Sequence, residues 1–447
     1  MNTRILAIAA ATCAALICHP PSSYAQSPDA PSDEPEQTEG SDETNDTEGD
    51  LDAELDALEE EVTAEDSKDD SDESSGSLGQ TLSSSVQSMN PEISFILDAT
   101  GAWFSDEPDL RGGHDPSSMG FNLQGLELAV GASVDPFFRF DGSILFSLFG
   151  VEIEEAYGTT LNLPLQLQAK FGQFKTNFGR LNPTHLHTWA FATQPLVNAK
   201  FFGGESLRGL GVELSQIVLP IPGTFRWYVS VQNIAGASTG RSFVPSSSDI
   251  SSLTDLTATV RLEEYVGLSQ NLSLLTGLNY AVGRNKSGRR NISEIYGLDL
   301  FLKWKNATKG GRSSVGWQTE FMIRRRQVPG DVLEDYGGYT QVRWRPNRYW
   351  GAGLRYEYVS GIGPESNQPS IFGGTTQAVD PLDPNWTQGR QRGAAQVSFY
   401  PSHFSRLRLQ YSLDHMPYRA GSSNSELVHQ VFLQAELVAG SHGSHEF

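Results

Sequence analysis

Thiols are almost missing from this chain. Its two cysteines, Cys13 and Cys18, both fall in the first 20 residues. If that segment is removed, the mature chain has no thiol to mispair while crossing an oxidising compartment. Long apolar runs are missing too: no later stretch has the ~18 consecutive apolar residues of a membrane-spanning helix. An exported chain of this kind enters a bilayer only as a closed barrel. Catalytic signatures are also lacking. There is no Gly-x-Ser-x-Gly run and no His-plus-Ser arrangement above chance, so an enzyme, which needs nucleophile, base and orienter within reach, is not expected.

Basic residues are scarce in one place only. Residues 27–75 hold 22 Asp and Glu against Lys68 alone, whereas 76–447 carry 30 basic and 32 acidic residues. The formal charge of −22 therefore describes a tail. Residues 1–25 have the layout of a secretory signal: Arg4, an apolar run from Ile5 to Cys18, and Ser23-Tyr24-Ala25 as a cleavage site. A lipoprotein reading at Cys18 is weaker because Ile17 is large. Residues 26–80 combine low hydrophobicity with high charge and read as a disordered acidic periplasmic segment. Within it Leu51, Leu55, Leu58 and Val62 keep helical spacing, which suits a transient helix or a coiled-coil fragment.

From Pro91 onward the period is two. Leu407, Leu409, Tyr411 and Leu413 alternate with Arg406, Arg408, Gln410, Ser412 and Asp414, and Phe225, Trp227, Val229 and Val231 alternate with Arg226, Tyr228, Ser230 and Gln232. About 16 such segments, starting near Glu92, Phe121, Phe137, Val151, Leu165, Gly209, Thr224, Asp255, Asn271, Ile292, Ser313, Asp335, Tyr349, Gly393, Phe404 and Leu427, predict an all-β, 16-stranded antiparallel transmembrane barrel over 81–447. Short turns such as Asp135-Pro136 and Pro346-Asn347-Arg348 alternate with longer loops at 105–119, 175–208, 234–253, 327–334, 361–390 and 416–426. That is the asymmetry of periplasmic turns and external loops. Only the tight Phe149-Gly150 connection breaks it. Aromatics gather at the turn ends, among them Tyr265, Trp304, Trp344, Tyr349, Trp350, Phe399, Tyr400 and Phe404, as a headgroup-level girdle requires.

Several runs carry a resemblance: Asn90–Ser94, Val134–Gly142, Val151–Tyr157 and above all FGQFKTNFGRLNPTHLHTW at Phe171–Trp189. They resemble proteobacterial outer-membrane porins of the phosphate-selective porin O and P type. Similar chains with HLH after the FGR turn sometimes bear the label of zinc-regulated, TonB-dependent outer-membrane receptors. The resemblance implies a 16-stranded channel whose loop after strand five folds inward as a constriction.

The expected function is passive diffusion of small hydrophilic solutes or ions through the bacterial outer membrane, with a modest anion preference. The residues expected to set it are Lys175, Arg180, Lys200 and Arg208 on the inward loop and Arg343, Arg345, Arg406 and Arg408 on the wall. Two histidine pairs, His185/His187 and His442/His445, have spacings that suit Zn²⁺ and leave metal binding or uptake open; no other cofactor is expected. A non-conducting structural or adhesive barrel is the other alternative. Outer-membrane lipids and the barrel-assembly machinery are expected partners, nucleic acid is not, and a homotrimer is one assembly open to it.

Overall fold

Alternation from Glu92 onward produces sixteen strands, and each pairs antiparallel with its sequence neighbour. The computed structural model describes residues 91–440 apart from 110–111, 149, 220–222, 235–241, 245–250, 307–312, 365, 385 and 418–425. The expected signal (1–25), the acidic segment (26–80) and the pair His442/His445 lie outside the described residues.

The strands are β1 (Glu92–Phe104), β2 (Gly120–Ser133), β3 (Phe138–Ser147), β4 (Gly150–Thr160), β5 (Leu167–Lys175), β6 (Arg208–Val218), β7 (Thr224–Ile234) and β8 (Thr257–Gly267). There follow β9 (Leu272–Arg284), β10 (Ile292–Lys305), β11 (Ser314–Val328), β12 (Asp331–Arg345), β13 (Trp350–Val359), β14 (Arg390–Ser402), β15 (Ser405–His415) and β16 (Leu427–Gly440). β1 closes on β16, with Ser94 opposite Gly440 and Phe104 opposite Gln430. Closure leaves no unpaired edge.

The two faces are inverted relative to a water-soluble protein. On β15, Leu407, Leu409 and Tyr411 are 46%, 54% and 44% exposed, while Arg406, Arg408, Gln410, Ser412 and Asp414 are buried on the inner side. The same holds for Leu210, Val212 and Leu214 against Glu213 and Ser215 on β6. An outer band of Leu, Val and Phe around a polar interior suits acyl chains outside the wall. Tyr265, Trp344, Tyr349, Trp350 and Phe404 stand exposed at the turn end, with the Trp350 and Phe399 rings 4.9 Å apart.

One connection departs from the expected alternation. Residues 327–334 do not form a loop, since β11 runs to Val328 and β12 starts at Asp331. Pro329 presets one turn dihedral and Gly330 supplies φ +83°, so two residues reverse the chain. Val328 and Leu333 then pack on Ile362 of the 360–389 connection, which lengthens the hairpin. The β3–β4 link is tight as well: β3 ends at Ser147 and β4 begins at Gly150.

The apolar core lies inside the barrel. Residues 176–207, between β5 and β6, enter the lumen and carry a 3-10 turn at Leu186–Thr188 and the short helix α1 (Leu196–Phe202). Phe178, Leu181, Trp189, Leu196, Val197, Phe201, Phe202 and Leu207 of this loop pack on Ile234, Ala281, Ile295, Met322, Tyr339 and Val359, which project inward from β7 and β9–β13.

Candidate functional site

A chain inside a barrel has no strand beside it, so its backbone groups need side-chain partners. The wall supplies them. Glu320 Oε1 accepts from the N–H groups of Arg180 (3.1 Å) and Leu181 (2.8 Å). Asn279 Oδ1 accepts from Gly179 N–H at 2.9 Å and Glu357 Oε2 from Leu196 N–H at 2.7 Å. In the other direction, Arg355 donates to the Thr193 carbonyl at 2.9 Å, Arg392 to that of Gln194, Arg406 to that of His187 at 2.9 Å and Arg408 to that of Trp189 at 2.6 Å. Much of the charge on the inner wall is therefore spent on holding the loop.

The cations singled out in the sequence occupy three different settings. Lys200 on α1 is buried, donates to the Ser360 carbonyl at 2.6 Å, and pairs with Asp335 at 2.9 Å. Lys175 lies 3.4 Å from Glu154, and Arg208 pairs with Glu152 and lies 3.9 Å from Glu205. Arg406 pairs with Glu436, and Arg408 reaches Gln434 at 2.7 Å. Arg345 stacks over the Tyr400 ring at 4.3 Å, and Arg180 over the Phe301 ring at 3.9 Å. Only Arg180 and Arg343 among them line a vestibule of about 210 Å³ between the loop and β10–β12. Its other walls are Leu181, Pro183, Thr184, His185, Thr188, Trp189, Ala190, Phe301, Gln318 and Gln341, with no carboxylate among the described residues.

On the opposite wall the loop meets a cluster of acids and imidazoles. β2 supplies Glu127 and β4 supplies Glu154 and Glu155. Two successive residues of one strand ordinarily face opposite sides. Here the β3–β4 register shifts between Ser143 and Ile144, which pair with Glu155 and Ile153 and leave Glu154 as the extra residue of a bulge. Both carboxylates consequently point inward and are buried. A second shift, in the β1–β2 pairing, leaves Gln124 extra, and its amide donates to the His114 carbonyl at 3.0 Å.

His185 Nδ1 lies 3.1 Å from both Glu127 Oε1 and Glu154 Oε2, and its Nε2 lies 2.8 Å from Glu155 Oε2. His187 Nδ1 lies 2.9 Å from Glu127 Oε2. The two rings stack 5.8 Å apart, so the pair does not converge on one point; each imidazole turns to a carboxylate. His114 Nε2, from the β1–β2 connection, lies 2.9 Å from Glu205 Oε2 and 3.6 Å from Glu154 Oε1. Burial pushes the His114 imidazole down, but Glu154 and Glu205 outweigh it and hold it up at about 10. Burial and the Lys175 ammonium push His185 down, and Glu127, Glu154 and Glu155 raise it to about 10.

Strand alternation places Glu127 and Glu154 on the lumen face, but nothing in the local sequence marks Glu155, His114 or Glu205 as their neighbours. A bulge leaves only a weak trace: the doublet Glu154-Glu155 inside an alternating strand was that trace.

No family model matches the chain. An uncharacterized protein of Aquifex aeolicus (strain VF5) is 30% identical over 402 residues, covering 81% of each chain. Among solved structures, the outer-membrane channel DcaP of Acinetobacter baumannii has a TM-score of 0.51 at 13% identity, covering 78% of this chain and 97% of that one. OprB of Pseudomonas putida at high pH has a TM-score of 0.49 at 9% identity, covering 83% of this chain and all of that one (100%).

Proposed function

The chain belongs to the family of that Aquifex aeolicus protein and is a 16-stranded outer-membrane barrel; from that premise we propose that it is a porin-like channel for small hydrophilic solutes and ions, with a modest anion preference. The observation that carries this reading is the vestibule, lined by Arg180 and Arg343 and by no carboxylate. Where a pore narrows, a solute sheds part of its water and the local dielectric falls, so fixed charge there outweighs charge on the wide rims. The selectivity is thus assigned to Arg180 and Arg343. Lys175, Lys200 and Arg208 are matched by carboxylates and act as anchors of the loop.

Planar-bilayer recordings of the purified protein in a KCl gradient test this. The expected reversal potential favours chloride, and Arg180→Glu with Arg343→Glu removes that preference. Phosphate, the solute of the resembling porin group, is compared in the same bilayers. A cation-selective wild type, or a double variant with unchanged selectivity, overturns the reading, and a barrel without conductance leaves the structural or adhesive alternative. We further propose that residues 1–25 are removed on export and that 26–80 form an acidic periplasmic segment. A mature chain whose mass does not begin at Gln26 counts against the first of these.

A further inference from the structure

We propose that Glu127, Glu154 and His185 form a binding site for one divalent first-row transition cation of the Zn²⁺ class, set where the inward loop meets β2 and β4. It does not rest on the channel being open.

The ligand atoms already converge. His185 Nδ1 lies 3.1 Å from Glu127 Oε1 and 3.1 Å from Glu154 Oε2, and the three atoms fall within 4.8 Å of one another. A cation bonded at ~2.0–2.2 Å to nitrogen and oxygen holds tetrahedral neighbours about 3.3–3.6 Å apart, so the two imidazole–carboxylate spacings need to open by only a few tenths of an ångström. One imidazole and two carboxylates make an N/O donor set suited to zinc and its first-row neighbours rather than to calcium or magnesium.

The surroundings orient these atoms. Glu155 Oε2 lies 2.8 Å from His185 Nε2 and keeps a proton on that nitrogen, so an entering cation displaces only the proton that Nδ1 directs at Glu127 and Glu154. A carboxylate behind a ligating imidazole is the usual outer partner of a metal-bound histidine. Ser143 Oγ donates to Glu127 Oε1 at 2.8 Å. The bulge at Glu154 has a consequence here too: a regular strand would direct only one of Glu154 and Glu155 into the barrel, and the site needs one as ligand and the other as support.

There is also room and a way in. A cavity of about 10 Å³, close to the space of a single water-sized body, lies beside the cluster against Glu127 and Glu154 but not against His185, and gives the two carboxylates room to shift as a cation enters. His185 forms part of the wall of the vestibule as well, so an ion that enters the vestibule reaches the cluster without passing through the apolar core. Lys175 is the competing cation. Its Nζ lies 3.3 Å from His185 Nδ1 and 3.4 Å from Glu154 Oε2, and it must withdraw when a metal enters.

The test uses the mature chain with His442→Ala and His445→Ala, so that the C-terminal histidines contribute nothing. The protein is folded in detergent, stripped with chelator and titrated with zinc chloride by calorimetry near pH 7.5; cobalt chloride absorption reports the ligand geometry. One zinc per barrel is expected. His185→Gln and Glu127→Gln should each weaken binding by at least ~100-fold, and Glu155→Gln by about 10–100-fold. Heat-modifiable migration checks that each variant folds, and Glu127→Asp replaces a neutral variant that does not. A barrel that takes up no zinc, or His185→Gln and folded Glu127 variants that bind like the parent, overturns the site.

Discussion

Removing Glu320 should release the inward loop from β11. Its Oε1 accepts from the backbone N–H groups of Arg180 and Leu181, from Gln318 Nε2 at 3.1 Å and from the Tyr339 hydroxyl at 2.7 Å. Glu320→Ala leaves two loop amides and a buried phenol without this acceptor. A hydrogen bond to a charged group contributes about 1.5–3 kcal/mol net, and water entering from the adjacent vestibule recovers part of it. We therefore expect the loop to lose ~2–4 kcal/mol of anchoring. At ~1.4 kcal/mol per factor of ten, the released population grows by roughly 30- to 1,000-fold. Trypsin provides the assay, because Arg180 is accessible for cleavage only once the loop leaves the wall, and cleavage tracks the open population when reclosing is fast. Bilayer recordings of the same variant should show larger and noisier conductance steps. A folded Glu320→Ala barrel with wild-type cleavage at Arg180 and wild-type steps would refute the reasoning. It would mean that the apolar cluster alone holds the loop.

Three further outcomes follow from particular contacts. Lys175→Met removes the ammonium that faces His185 Nδ1 and Glu154, so zinc should bind at least ~10-fold more tightly; calorimetry showing weaker binding would count against competition. Gly330→Val places a β-branched residue at φ +83°, with no atom within 4 Å of the added Cβ. The cost should be the backbone term alone, about 1–2 kcal/mol in denaturant unfolding, with conductance unchanged. His114 is held at about 10, above its ordinary 6.5. The stabilisation it contributes is then fully present below ~6.5 and is lost as the pH rises through about 10. Metal-free protein should unfold at lower temperature from pH 8 to 11, and His114→Gln should flatten that slope.

The strands were legible because the barrel wall repeats one constraint, lipid on one face and polar lumen on the other, for ten or more residues at a time. Fifteen of the sixteen expected starts fall within three residues of the observed ones, and the exception, β12, was displaced by the turn Pro329-Gly330. A Pro-Gly pair inside a continuous alternating stretch is itself a hairpin signal, and it was outweighed by the expectation of a long external loop. The interior was less legible. The aromatic residues in 175–208 mark a packed loop, but nothing local says that Phe178, Phe201 and Phe202 meet Ile295 and Met322 from strands roughly a hundred residues later. The loop cations carried the same ambiguity. Lys200 and Arg180 look alike in sequence, yet one is sealed against Asp335 and the other stacks on Phe301 beside open space. That difference depends on where α1 comes to rest.

Two unlike forces fix the loop on its two sides, and this decides which side responds to solution conditions. Toward β7 and β9–β13 the contact is apolar packing, which is non-directional and indifferent to protons and ions. Toward β2 and β4 it is carboxylate against imidazole and ammonium, through Glu127, Glu154 and Glu155 with His185, His187 and Lys175. Interactions of that kind shift with pH, with salt and with any cation that replaces a proton. Pairs such as Arg324–Asp335, Arg390–Asp414 and Arg261–Asp299, at 2.6 Å each, are internal to the wall and add no net charge to the lumen. On the proposed reading, selectivity falls to Arg180 and Arg343 in the vestibule, and adjustment of the loop to the β2–β4 cluster. His185 belongs to both, lining the vestibule with its ring and holding the cluster with both nitrogens. Zinc at this cluster should therefore change conductance in wild-type barrels and leave it unchanged in His185→Gln, whereas Arg343→Glu should shift selectivity and leave the zinc response intact. A zinc response that survives His185→Gln would place the adjustable contact elsewhere on the loop.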